Sequence, residues 1–216
     1  MEELAKQHFA DGSRLYEKGK LSESVAKLKA ALQIEPGWAD ARRLLAFVLC
    51  KNGNFDGAIV EYKTILKAEP NNALTHYSLG RAYSMVKEWE LALVQYKAAT
   101  NIDPNYANAH LGLGLTLAMI AKDRKQQSLW GEAKQSFVRA FTLEPQEARS
   151  IAGLANAEWH LDNKLMALKM AERATEADQA YKYGWIYLLR FQILSGKLVD
   201  AWITVRKLRK VERFHS

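Results

Sequence analysis

Three histidines, His8, His76 and His110, stand at whole multiples of one interval, and imidazoles at one shared phase invite a metal reading. Zinc holds imidazole nitrogens at about 2.0–2.1 Å. Equivalent residues on neighbouring helices are kept apart by the roughly 8–10 Å between helix axes. The three therefore cannot converge on one ion and are expected to be packing or groove residues. Cys50, the carboxylates and the serines form no set of nucleophile, base and orienting group, and there is no glycine-rich phosphate loop. The expectation is a chain that is not an enzyme, with no catalytic residue, no cofactor and no metal.

The elements that would position these side chains show themselves as a period. Pro36, Pro70 and Pro104 are evenly spaced, at the interval that parts His76 from His110, and close the similar phrases ALQIEPGW, ILKAEPNN and ATNIDPNY. FTLEPQE carries the next proline, Pro145, at a longer interval that implies a seven-residue insertion. Small residues keep step at Gly12, Ala46, Gly80, Gly114 and Ala155. They do so again at Ser24, Ala58, Ala92, Ala133, Ala167 and Ala201. Larger ones follow at Leu28, Tyr62, Tyr96, Phe137 and Val205. Each unit holds two apolar stretches of helical period parted by a short break such as KNGNFD or KEWE. Small residues let two backbones approach, large ones fill the space between helices, and proline stops the second helix. The reading is helix–turn–helix.

These residues resemble the tetratricopeptide repeat, a helical hairpin of about 34 residues. The third unit, ALTHYSLGRAYSMVKEWELALVQYKAATNIDPNY, carries Leu79–Gly80, Tyr83, Ala92, Tyr96, Ala99 and Pro104 at the family's offsets. The resemblance implies an all-α, right-handed superhelical solenoid of about six repeats and twelve helices. It reads as one domain over 1–216, with repeats at about 5–38, 39–72, 73–106, 107–147, 148–181 and 182–213. It fades at the ends: Asp11 stands where a leucine is usual, and Gln179 and Arg213 where prolines are. Terminal units of a stack are commonly atypical because one face meets water.

The resemblance also implies that first helices line a concave groove for a peptide or helix. Inward-facing phases then nominate Phe9 and Tyr16, with Arg43, Leu44 and Phe47 from the second repeat. The third offers Leu74, Tyr77, Arg81 and Met85, and the fourth Asn108, Leu111, Leu115 and Met119. The last two offer Arg149, Asn156, Trp159, Tyr183, Ile186, Tyr187 and Arg190. Aromatic, Met and Arg side chains are the types enriched at binding hot spots, and methionine suits an adaptable surface. The lining predicts an apolar or amphipathic, partly acidic protein segment as ligand. Family members that dock chaperone tails use a Lys/Asn/Arg clamp for a carboxylate. Its places here hold Phe9, Ser13, Leu44, Leu74 and Ser78, so that ligand is not expected.

Charge is uneven: residues 1–108 hold 14 basic and 13 acidic side chains, residues 109–216 hold 17 and 11. The insertion, about 121–127, contains Lys122, Arg124 and Lys125 and no Gly or Pro, so a lengthened first helix is expected. It reads as a surface elaboration or as a basic finger for a partner. The C-terminal run has Arg206, Lys207, Arg209 and Lys210, which suit a helix C-terminus or contact with an acidic protein or membrane surface. Nucleic acid is disfavoured for want of a stacking platform beside the patch. No apolar run reaches the roughly 20 residues of a spanning helix, the N-terminus lacks a signal-peptide layout, and the lone cysteine suits a reducing compartment. The location expected is cytoplasmic. The function expected is a protein-binding adaptor or assembly scaffold. The alternatives are a self-associating repeat scaffold (a homo-oligomer) and an accessory regulatory subunit of an enzyme or membrane-associated complex.

Overall fold

The computed structural model describes residues 1–213, with side chains through Arg209. Among the described residues it contains twelve helices and no strand. No helix among them is long and apolar enough to cross a membrane. The chain divides into two compact units, Met1–Asp103 and the residues from Pro104 onward.

In the first unit α1 (Glu2–Glu17) pairs with α2 (Leu21–Ile34), α3 (Ala39–Lys51) with α4 (Phe55–Ala68), and α5 (Ala73–Met85) with α6 (Trp89–Ile102). In the second, α7 (Ala107–Asp123) pairs with α8 (Leu129–Leu143), α9 (Ala148–His160) with α10 (Lys164–Ala177), and α11 (Lys182–Leu194) with α12 (Leu198–Arg213). Within each unit every second helix also packs on the next first helix. This is an all-α fold of tetratricopeptide-type helical hairpins.

The small-residue phases mark where first and second helices touch. A Cβ on Gly12 would sit 2.8 Å from Leu28 Cγ, and one on Gly80 3.0 Å from the Tyr96 ring. Phe137 of α8 is met from two sides, by Gly114 of α7 and Gly153 of α9, and a Cβ at either would run into its ring. The Phe137 ring is 1% exposed. Burying such a side chain contributes roughly 1.5–3 kcal/mol.

First helices end in the same turn. The amide of Asn54 donates to Leu49 O at 2.9 Å and that of Gly53 to Cys50 O at 3.2 Å, closing the helix in a Schellman-type cap. This needs one left-handed residue. Gly19, Gly53 and Gly196 supply it at φ 73–77°, while Lys87 (φ 64°), Lys125 (φ 51°) and Asp162 (φ 63°) adopt it without glycine's freedom. The second helix α4 starts on Asn54, whose Oδ1 accepts from Gly57 N at 2.9 Å. Asn72 caps α5 in the same way through Thr75 N, as Glu147 caps α9 through Ser150 N.

The insertion is divided. α7 has 17 residues against 13 in α3, α5, α9 and α11. Four of the seven extra residues therefore lengthen the first helix, as expected. The others go into the turn, which reverses at Lys125, and into α8, which has 15 residues. A full two-turn extension does not form, because Lys125 closes the helix in the left-handed turn. Gln127 anchors this turn by donating to the His160 carbonyl.

Candidate functional site

The connectors carry a device that the sequence pattern did not reveal. Six residues beyond the carbonyl of four of the five connectors, a side chain on the following first helix donates back to it. Arg42 Nη2 donates to Pro36 O at 2.6 Å, His76 Nε2 lies 2.9 Å from Pro70 O, and His110 Nε2 lies 3.0 Å from Pro104 O. Trp185 Nε1 donates to Gln179 O at 2.9 Å, where no proline is present. A carbonyl only accepts, so Nε2 of His76 donates to Pro70 O, while Nδ1 lies 2.8 Å from Gln95 Oε1. His76 and His110 are joint-closing residues. His8 points elsewhere, its Nδ1 buried without a hydrogen-bond partner. Among the described residues no group of His, Cys, Asp and Glu gathers to hold an ion.

The first unit encloses a hollow of about 720 Å³ between α1, α3 and α5, within the usual range for ligand sites. Phe9, Arg43, Leu44, Phe47, Leu74, Tyr77, Arg81 and Met85 line it, so the nominated residues of these three helices come together. Tyr16 stands behind, edge-on to Phe47 at 5.6 Å, and Phe9 leans on Trp38 at 4.7 Å. Asp40, Cys50, Lys51, Phe55, Tyr62 and Ser78 also line the hollow and escaped the sequence reading. Phe55 and Tyr62 come from the second helix α4, which inward phases of first helices alone cannot find.

The hollow's two arginines differ. Arg43 is already neutralised, Nη2 lying 3.0 Å from Glu69 and Nη1 3.8 Å from Asp40. Arg81 has no carboxylate partner among the described residues, and its guanidinium lies 5.8 Å over the Tyr77 ring. Lys51 Nζ sits 5.5 Å over Phe47. The floor is neutral: burial pushes the Tyr62 phenol well above its usual range and the Cys50 thiol up as well. A nucleophilic thiol needs the opposite shift.

In the second unit the nominated residues are spread over three first helices. Leu115, Met119 and Tyr183 are exposed. Leu111, expected in the groove, is 4% exposed and packs inside the unit; its phase on α7 turns it toward the neighbouring helices. Trp159 stacks on Phe191 at 4.4 Å and Tyr187 stacks on the same ring at 5.8 Å, so both are braced by α11. Arg149 is held by Glu147 at 2.7 Å and reaches Asn108 at 3.5 Å. Asn156 is half-buried and Arg190 exposed. Burial, followed by the neighbouring Tyr187 and Glu147, pushes the Tyr181 phenol up to about 12.

Lys122, Arg124 and Lys125 are exposed around the end of α7. Arg206 covers the Trp202 ring at 3.5 Å, Lys207 faces Trp185 at 5.8 Å, and Arg209 is exposed. The side chain of Lys210 lies outside the described residues.

Residues 15–82 match the family described as Tetratricopeptide repeat, and residues 87–120 match the TPR repeat family. No curated protein sequence matches significantly. Among solved structures, a tetratricopeptide repeat protein of Parabacteroides merdae is similar at TM-score 0.81 and 18% identity, covering 96% of this chain and 80% of its own. PilF of Pseudomonas aeruginosa is similar at TM-score 0.75 and 18% identity, covering 97% and 92%. YrrB, described as a TPR protein with an unusual peptide-binding site, is similar at TM-score 0.66 and 19% identity, covering 82% and 88%. At these identities the structures speak for the fold alone. Over residues 15–82 and 87–120 the family matches, together with the helical hairpins and their small–large packing, show tetratricopeptide repeats in this chain.

Proposed function

We propose that the protein is an adaptor that receives an apolar or amphipathic, partly acidic segment of another protein in the hollow of α1, α3 and α5. The observation that carries this is Arg81: an unpaired guanidinium over an aromatic face, at the edge of a surface made of Phe9, Leu44, Phe47, Leu74 and Met85. A cation so placed meets an incoming carboxylate without first breaking an ion pair, while the apolar walls supply area to bury. YrrB's described peptide-binding site supports peptide recognition on such a fold. The raised Cys50 thiol supports a binding rather than a catalytic role. Leu115, Met119, Tyr183 and Arg190 offer a second contact surface in the other unit, with Lys122, Arg124 and Lys125 as a further basic contact. A single free cysteine fits work in the cytoplasm.

Selection of a random peptide library against the full chain tests the proposal. Enriched peptides should combine aromatic or aliphatic residues with Asp or Glu, and should lose affinity for Arg81→Glu and Phe47→Ala. Peptides that bind both variants as well as the parent would refute the assignment.

A further inference from the structure

The two ends of the array differ in chemistry. In first helices that follow another hairpin within a unit, the third and tenth positions turn toward that hairpin and are buried. They are Ala41 and Val48 in α3, Thr75 and Ala82 in α5, Ser150 and Ala157 in α9, Gly184 and Phe191 in α11. In α1 the residues at the same repeat phase as Ala41 and Val48 are Gln7 and Arg14, both exposed. At those two places α1 is polar.

The other end has no such change. In α4 and α10 the residue one beyond the small phase is buried: Ile59 is 7% exposed and Leu168 6%. Its counterpart on α12 is Trp202, 56% exposed. Eight residues beyond the small phase stand buried Leu32 and Thr175, and on α12 the exposed Arg209. The twelfth place of the first helix behaves alike. Tyr16 packs on Phe47 and Trp159 on Phe191 of the next first helix, whereas the matching Ile193 of α11 is exposed. Leu198 adds to the same face. Beneath it Thr204 Oγ1 donates to Gln192 Oε1 at 2.8 Å, tying α12 to α11.

Charge narrows the occupant. Arg206 and Arg209 border this face and have no carboxylate partner among the described residues. The residue matching Arg206 on α4 is Lys63, whose Nζ lies 5.6 Å over Tyr83 of the following first helix. The cation thus borders the seat of an incoming helix. Glu172, Glu176 and Asp200 lie in a separate hollow of about 410 Å³ with Lys207, between α10, α11 and α12. We propose that the end face of α11 and α12, built from Ile193, Leu198, Trp202, Arg206 and Arg209, seats an acidic amphipathic helix of another protein, laid where the next first helix of a stack would lie. A second copy of this chain is the wrong chemistry, because its α1 would bring Gln7 and Arg14 onto a tryptophan and an arginine. The proposal stands apart from the hollow in residues 1–103.

The full chain is titrated with two synthetic helices of about 18 residues. Each carries a Leu/Ala stripe at i, i+3, i+4 and i+7; one is flanked by Glu, the other by Lys. The Glu helix should bind about ten-fold or more tightly than the Lys helix. With the hollow disabled by Arg81→Glu the preference should persist, and in that background Trp202→Ala should abolish binding and the double variant Arg206→Glu/Arg209→Glu should reverse the preference. Equal binding of both helices, or none, overturns the proposal. Loss in Arg81→Glu with retention in Trp202→Ala would place the peptide in the hollow and overturn it too. Two further results count against it: a Trp202-dependent blue shift on vesicles of anionic phospholipid without a response to the Glu helix, and self-association abolished by Trp202→Ala.

Discussion

The guanidinium of Arg81 lies 5.8 Å from the centre of the Tyr77 ring, one turn earlier on α5. Cation–π contacts at such exposed sites are worth about 0.5–1 kcal/mol, enough to hold the side chain over the hollow yet weak enough to yield to a carboxylate. Arg81→Glu is expected to lower affinity for a selected acidic peptide about ten-fold or more, and Arg81→Lys to retain most of it. Arg43→Glu should act through stability instead, since it removes the partner of Glu69. Titration calorimetry beside thermal melts separates the two.

Gly153 faces the Phe137 ring so closely that a Cβ has no room. Gly153→Ala is therefore expected to destabilise by roughly 1–3 kcal/mol through overpacking. Gly131, inside α8 with nothing within 4 Å of an added Cβ, is the control: alanine there should stabilise by about 0.5–1 kcal/mol. Denaturant unfolding of both variants checks the contrast, which vanishes if the close approach at Phe137 does not exist.

Lys87 holds φ 64° at a place where three other hairpins use glycine. Left-handed geometry costs a side-chain-bearing residue roughly 1–2 kcal/mol, and glycine gives part of that back through its looser unfolded chain. Lys87→Gly should raise stability by about 0.5–1 kcal/mol, and Gly53→Ala should lower it. Melting midpoints moving the other way would disprove the turn geometry.

His160 stacks on Trp130 at 3.8 Å, and burial, then Arg190 and Lys122, hold its pKa below the usual 6.5. The folded state thus binds this proton more weakly than the unfolded one. Its contribution is fully present above the unfolded value and is lost as pH falls below about 6.5 through the lowered one. His160→Gln should flatten that part of the stability profile, measured as the urea midpoint from pH 7.5 down to 5. A slope identical to the parent's would remove His160 from the account.

The fold was legible because proline, small and aromatic residues recur in step, each tied to one physical demand. That side chains of α1, α3 and α5 line one hollow was legible through side-chain type and phase. What stayed hidden depends on partners distant in sequence. Nothing near Arg43 announces that Glu69 neutralises it, or that Phe55 and Tyr62 reach the hollow from α4. The phase of Leu111 pointed to the groove, yet packing within α7, α8 and α9 buries it. The connector clasps were invisible because an arginine, two histidines and a tryptophan share a role without sharing a residue class.

Those clasps also explain how the last hairpins stay in shape while their signature wears away. The connector at Pro145 keeps its proline but faces Ile151, which has nothing to donate, and there Glu147 caps the next helix instead. The connector at Gln179 has lost its proline but keeps the donor in Trp185. Every joint keeps at least one of the two safeguards, proline or donor, so a hairpin can hold its turn where the motif that marks it is no longer complete.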